Sequence, residues 1–130
     1  MFAVLLVVKR PVKVCGADVC VAVDAVSQQA DLQRGLQGRK ELKENQGMFF
    51  VFSKDDQYRF WMKDMTFPLD ILWLNSKGDI VFVQENAPPC AGDPCAVYAP
   101  PQEARYVLEV NAGFSRAHGL RPGVRMAIKK

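Results

Sequence analysis

Two carboxylates interrupt runs of apolar residues, where a charge is costly: Asp70 in "LDILWL" and Glu109 in "ARYVLEV". Burial penalises an ionised acid, so two such groups facing one cleft could act as general acid and general base. Sugar-cleaving chemistry would also demand a set separation between them, which spacing along a chain does not supply. The competing role is structural, because buried charges are normally paired. Each acid would then hold backbone amides or one of the cations Lys63, Arg39, Arg59 and Arg105. Just upstream, "YRFWMK" places Trp61 and Lys63 two residues apart, hence on one face of a strand together with Arg59. These features predict one pocket lined by Trp61, Lys63, Asp70 and Tyr98, with Arg39 and Glu109 as neighbours. An apolar hollow with a few convergent polar groups suits a small ligand. The alternative is that Asp70 holds a turn and Tyr98 pins a loop, with no ligand.

Four cysteines fall in two matched pairs, "CGADVC" (Cys15, Cys20) and "CAGDPC" (Cys90, Cys95). Local disulfides in an oxidising compartment are the first reading. Free thiols and a zinc site remain as alternatives, although zinc knuckles usually have tighter spacing. His118 is the single histidine, so His-based metal sites are out. It falls at an expected helix C-terminus, where a cation suits the helix dipole. No phosphate loop, dinucleotide fingerprint, zinc-protease motif or nucleophile elbow is present. No cofactor is therefore expected, and binding is favoured over catalysis.

The elements around these residues follow from periodicity. Valines alternate on both sides of "CGAD", predicting a hairpin that pairs Val14 with Val21, Val12 with Val23 and Cys15 with Cys20. Ser27 can cap a short helix from Gln28 to Arg34, closed by Gly35, before a long polar loop. "GMFFVF" predicts a strand buried on both faces, turned by "SKDDQ". "YRFWMK", "LDILWL", "IVFVQE", "ARYVLEV" and "VRMAIK" follow as strands. Asn111 can cap a second short helix ending at Gly119. The Pro-Cys segment 86–102 is an irregular loop, long enough to fold across the sheet and bring Tyr98 with it. The expected fold class is α+β, a mainly antiparallel, barrel-like sheet with two short helices.

The ordered set Gly35-Leu36, "GMFFVF", "FWMK", "PLD", "PPCAGDPC", Tyr98 and "YVLEVNAG…HGLRPG" resembles the domain-of-unknown-function family 192, the uncharacterised ACR proteins. The resemblance spans roughly residues 12 to 129. It implies a small, single-domain bacterial or archaeal protein, often exported, and brings no biochemical activity with it. Gln37 stands where the family has methionine, and Asp64-Met65 where it has Asn-Thr. The Cys15/Cys20 pair is outside the family pattern.

The chain has 130 residues, 49% hydrophobic and 24% charged, consistent with a single domain over 1–130. A formal net charge of +3 is too small to demand a polyanionic partner. "RFWMK" and "RPGVRMAIKK" therefore give nucleic-acid binding little support. No stretch approaches a transmembrane span. Residues 1–11 predict an opening strand or a trimmed leader, since the positive charges follow the apolar run. The expected function is a small exported or periplasmic module that binds a small molecule or a protein. The alternative is an acid-base hydrolase or lyase acting on a polar, sugar-like substrate through Asp70 and Glu109.

Overall fold

The computed structural model describes residues 12–27 and 34–130. The expected opening strand or leader lies outside these residues, as does the expected first helix apart from Arg34. The hairpin forms as its valines predict. β1 (Val12–Gly16) and β2 (Val19–Val26) pair Val14 with Val21 and Cys15 with Cys20. Both valines are fully buried.

The strands that follow are β3 (Gln46–Asp56), β4 (Phe60–Trp61), β5 (Leu69–Leu74), β6 (Ile80–Ala87), β7 (Val97–Tyr98) and β8 (Ala104–Asn111). A short helix, α1 (Phe114–Ala117), precedes β9 (Ala127–Lys129). Seven strands form one sheet in the order β6-β5-β8-β3-β2-β1-β9, and β4 with β7 makes a separate two-stranded ribbon. The sheet is mixed, because β2 and β3 run parallel while the other neighbours are antiparallel.

Two expectations are corrected, the closed sheet and the turn after "GMFFVF". The sheet is not a closed barrel. Among the described residues its edges meet at one corner, where Ile80 N–H donates to Val124 O (2.9 Å) and Met126 N–H to Gly78 O (2.8 Å). Of the two short helices, α1 is described, and the other falls on residues 28–34, of which only Arg34 is described. "SKDDQ" does not turn the chain at once: β3 continues to Asp56, which pairs with Ala104 beyond an irregularity after Val51. The Arg105–Asp55 ion pair (2.8 Å) reinforces that outer stretch.

Both faces of the sheet are covered, which explains the unbroken apolar runs. β5 is buried at all six positions. Alternation sends Leu72 and Leu74 into a valine-rich layer with Val14, Val21, Leu108 and Val110. It sends Leu69, Ile71 and Trp73 into an aromatic layer with Phe50, Met62 and Val107. Each such side chain removed from water contributes about 1.5–3 kcal/mol. Gly47, the second residue of β3, is glycine because the neighbouring backbone leaves no room for more. A Cβ there would stand 2.5 Å from the carbonyl oxygen of Glu109.

Candidate functional site

The chain from Tyr58 to Met65 passes over the aromatic face of the sheet. Trp73 pins its start, donating its indole N–H to the carbonyl of Tyr58 at 2.9 Å. Phe60 packs edge-on to Phe50 (4.9 Å between centroids) and to Trp73 (6.0 Å), and Tyr58 stacks on Phe52. At the far end Met62 and Met65 are buried. A cavity of about 1010 Å³ remains, bounded by this segment, by Arg34–Gln37, by the outer part of β3 and by Glu109 of β8.

Trp61 and Lys63 both line it, as their shared strand face predicts. The Lys63 ammonium lies 5.2 Å from the centre of the Trp61 ring, within cation–π range. Trp61 is 46% exposed, unlike the buried Trp73. Lys63 also reaches Asp93 at 3.4 Å, an exposed pair of small energetic weight.

Glu109 faces the cavity from β8 and is only 4% exposed. Among the described residues its carboxyl has no hydrogen-bond or ion-pair partner. Burial raises its pKa from the ordinary 4.5 to about 8. The carboxyl is therefore protonated at neutral pH and can donate one hydrogen bond. Gly35 passes beside it in a left-handed conformation (φ 53°). A Cβ at Gly35 would lie 3.3 Å from the Phe50 ring and 3.7 Å from Glu109 Oε1, so glycine lets this wall close on the carboxyl.

The other predicted residues lie elsewhere. Asp70 lies on the opposite face of the sheet. It pairs with Val110, whose side chain is in the valine-rich layer, whereas Glu109 pairs with Ile71 in the aromatic layer. The Asp70 carboxylate accepts four hydrogen bonds: from Asn86 N–H (2.9 Å), Gly113 N–H (3.1 Å), Ser115 N–H (3.0 Å) and Ser115 Oγ–H (2.6 Å). It fixes the start of α1 and the end of β6, and among the described residues no lysine or arginine pairs with it. The two carboxylates therefore do not share a cleft. The expected cap Asn111 instead donates its side-chain amide to Leu42 O (2.7 Å).

Arg39 is not part of the lining. Its guanidinium pairs with Asp24 at 2.8 Å, and its carbonyl accepts from Thr66 Oγ at 3.0 Å, which braces the loop beside the site. Tyr98 pairs with Phe60 across the β4–β7 ribbon and packs against the aromatic layer. The Pro-Cys loop does not fold over the cavity. Cys90 lies alongside Lys63: Cys90 N–H donates to Met62 O (3.1 Å) and Asp64 N–H to Cys90 O (3.2 Å). Bonded to Cys95, Cys90 stiffens the strip that carries Trp61 and Lys63. Cys15 is likewise bonded to Cys20, so none of the four thiols is free. His118 ends α1, its ring 4.3 Å from that of Phe114.

Several lining residues were not expected at the site from the sequence. Gln37 donates its side-chain amide to Lys63 O (3.2 Å), a contact the methionine of the family pattern could not make. Asp64, in the family's asparagine position, adopts φ 61°, a conformation Asp and Asn tolerate better than most residues. Phe50 and Phe52 could have been linked to Glu109 by alternation once β3 and β8 were aligned; that alignment is a long-range fact.

Among the described residues, no helix is long and apolar enough to cross a membrane, and no group of three or more potential metal ligands gathers. No curated protein matches the chain. A "putative transcription regulator" from Sinorhizobium meliloti is similar in structure, with a TM-score of 0.81 and 30% identity over 89% of this chain and 90% of that one. A protein of unknown function from Novosphingobium aromaticivorans superposes with a TM-score of 0.82 and 27% identity, over 90% of this chain and 83% of that one. The DUF192 family model, described as Uncharacterized ACR, matches residues 12–128, and the chain belongs to that family.

Proposed function

We propose that this protein is a small binding module of the cell envelope whose ligand occupies the cavity beneath Trp61. One observation carries the reading. Glu109 is a buried carboxyl that no described residue partners, and it faces open space of ligand size. A carboxyl held neutral by burial at the wall of such a space can donate one hydrogen bond to a ligand that enters it. Aromatic walls supply contact area, and Trp61 stands at the mouth, half exposed. Two disulfide-bonded pairs are consistent with an oxidising, exported location, and a periplasmic one is our reading of that.

The hydrolase or lyase alternative loses its second carboxylate, since Asp70 is saturated on the other face of the sheet. A thermal-shift screen over organic acids, amines, sugars and nucleotides tests the binding reading, because a ligand selective for the folded state raises its stability. Hits are expected that Trp61→Ala abolishes while the variant stays folded. A screen with no hits, or hits unaffected by Trp61→Ala, rejects the cavity as the site.

A further inference from the structure

The charges around the cavity say which kind of ligand it takes, given that it is a ligand site at all. Arg34, Lys54, Arg59 and Lys63 stand on the lining against one exposed acid, Asp64. Among the described residues, Lys63 is the one of these engaged by an acid, Asp93, and that contact is long and exposed. Lys54 comes from β3, Arg59, Lys63 and Asp64 from the overlying segment, and Arg34 from the wall beside Gly35. The remaining titratable group of the lining is Tyr58. Burial first, then Asp56, raises its pKa, and its hydroxyl donates to Lys54 O. β5 adds no titratable group to this face, because Asp70 points to the other.

We propose that the cavity binds an organic anion: an apolar or aromatic body against Phe50, Phe60 and Trp61, with a carboxylate that accepts the Glu109 hydroxyl hydrogen bond within the basic lining. A concave wall whose charges are mainly positive concentrates ligands of the opposite charge. A cationic ligand would have to pass four cations to reach a carboxyl that is neutral at pH 7. An anion meets a donor there, and an O–H···O⁻ hydrogen bond is among the stronger kinds. Glu109 thereby works as a proton-bearing donor, a role open to a carboxyl but closed to a carboxylate. This inference rests on the binding reading above and adds the ligand's charge and the proton it needs.

Three probes of similar body and different head separate the possibilities: phenylacetate, 2-phenylethylamine and 2-phenylethanol, titrated calorimetrically against the intact protein. Phenylacetate is expected to bind best at pH 7. Its affinity should fall about tenfold between pH 7 and pH 9 as Glu109 loses its proton. Glu109→Gln, whose amide still donates, should bind phenylacetate with that pH dependence gone. The double variant Lys54→Gln/Arg59→Gln, both positions exposed, should bind it several-fold more weakly and with less sensitivity to salt. Preference for the amine, with affinity rising over the same pH range, overturns the anion assignment while leaving the cavity a ligand site. So does equal binding of the alcohol, or phenylacetate binding that is flat with pH in the unmodified protein. If none of the three binds, the anion assignment fails, and the broad screen shows separately whether the cavity reading fails with it.

Discussion

Asp70 and Glu109 stand on adjacent strands, β5 and β8, one residue apart in register: Asp70 opposite Val110, and Ile71 opposite Glu109. Both are buried acids in apolar strands. Their surroundings are opposites. Asp70 receives four donors, three of them backbone amides, and so ties together β6, the turn after β8 and α1. Glu109 receives none among the described residues and keeps its proton instead. A buried acid thus has two ways to persist, by collecting donors or by staying neutral. The first leaves the group committed to structure. The second leaves it available, which is why the cavity and not the Asp70 turn is the candidate site.

The sharpest break of this contrast is Asp70→Ala. Four donors would lose their acceptor inside the fold, and chemical denaturation should show a loss of about 3–5 kcal/mol. Asp70→Asn should recover only part of it, because one carbonyl oxygen replaces two acceptors. A loss below about 1 kcal/mol for the alanine variant would mean that the donors find water, and that Asp70 is no more committed than Glu109.

Glu109→Gln should act in the opposite direction. The folded pKa is raised, so the unfolded chain gives up its proton near 4.5 while the folded one holds it to about 8. Between these values the unfolded state binds fewer protons, and stability falls as pH rises. At pH 7 the wild type should therefore lag Glu109→Gln by about 3 kcal/mol more than at pH 5. Denaturation of both proteins across that range measures it. A constant difference would place a hidden donor or cation at Glu109.

The disulfides should matter less. Each closes a short loop, and removing either should cost about 1–3 kcal/mol. Thiol counting on the unreduced, denatured protein should find essentially no free thiol. Cys90→Ser/Cys95→Ser should in addition weaken ligand binding, since Cys90 braces the strip on either side of Lys63; Cys15→Ser/Cys20→Ser should not. Smallest of all is Trp61→Ala, expected to alter stability by no more than about 0.5 kcal/mol, because a half-exposed side chain contributes little to the core. A variant that unfolds would instead make Trp61 part of the packing.

What the sequence determined by itself is what local geometry controls. The valine alternation around "CGAD" sets the hairpin and places Cys15 opposite Cys20, because a tight turn leaves a single register that buries the valines. Two-residue spacing puts Trp61 and Lys63 on one side. The tertiary structure decided which acid belonged with them. Nothing within "LDILWL" or "YVLEV" tells which face the cavity will cover. That follows from the pairing of Asp70 with Val110 across 40 positions of chain, and a slip of one residue would exchange the faces. Sequence proximity pointed to Lys63 as the partner of Asp70. Strand alternation sent the carboxylate to the opposite face, where backbone amides from residues 86, 113 and 115 converge on it. The closed barrel likewise depended on contacts between the sheet's two edges, and among the described residues these meet along one corner, because β9 is three residues long and lies against β1.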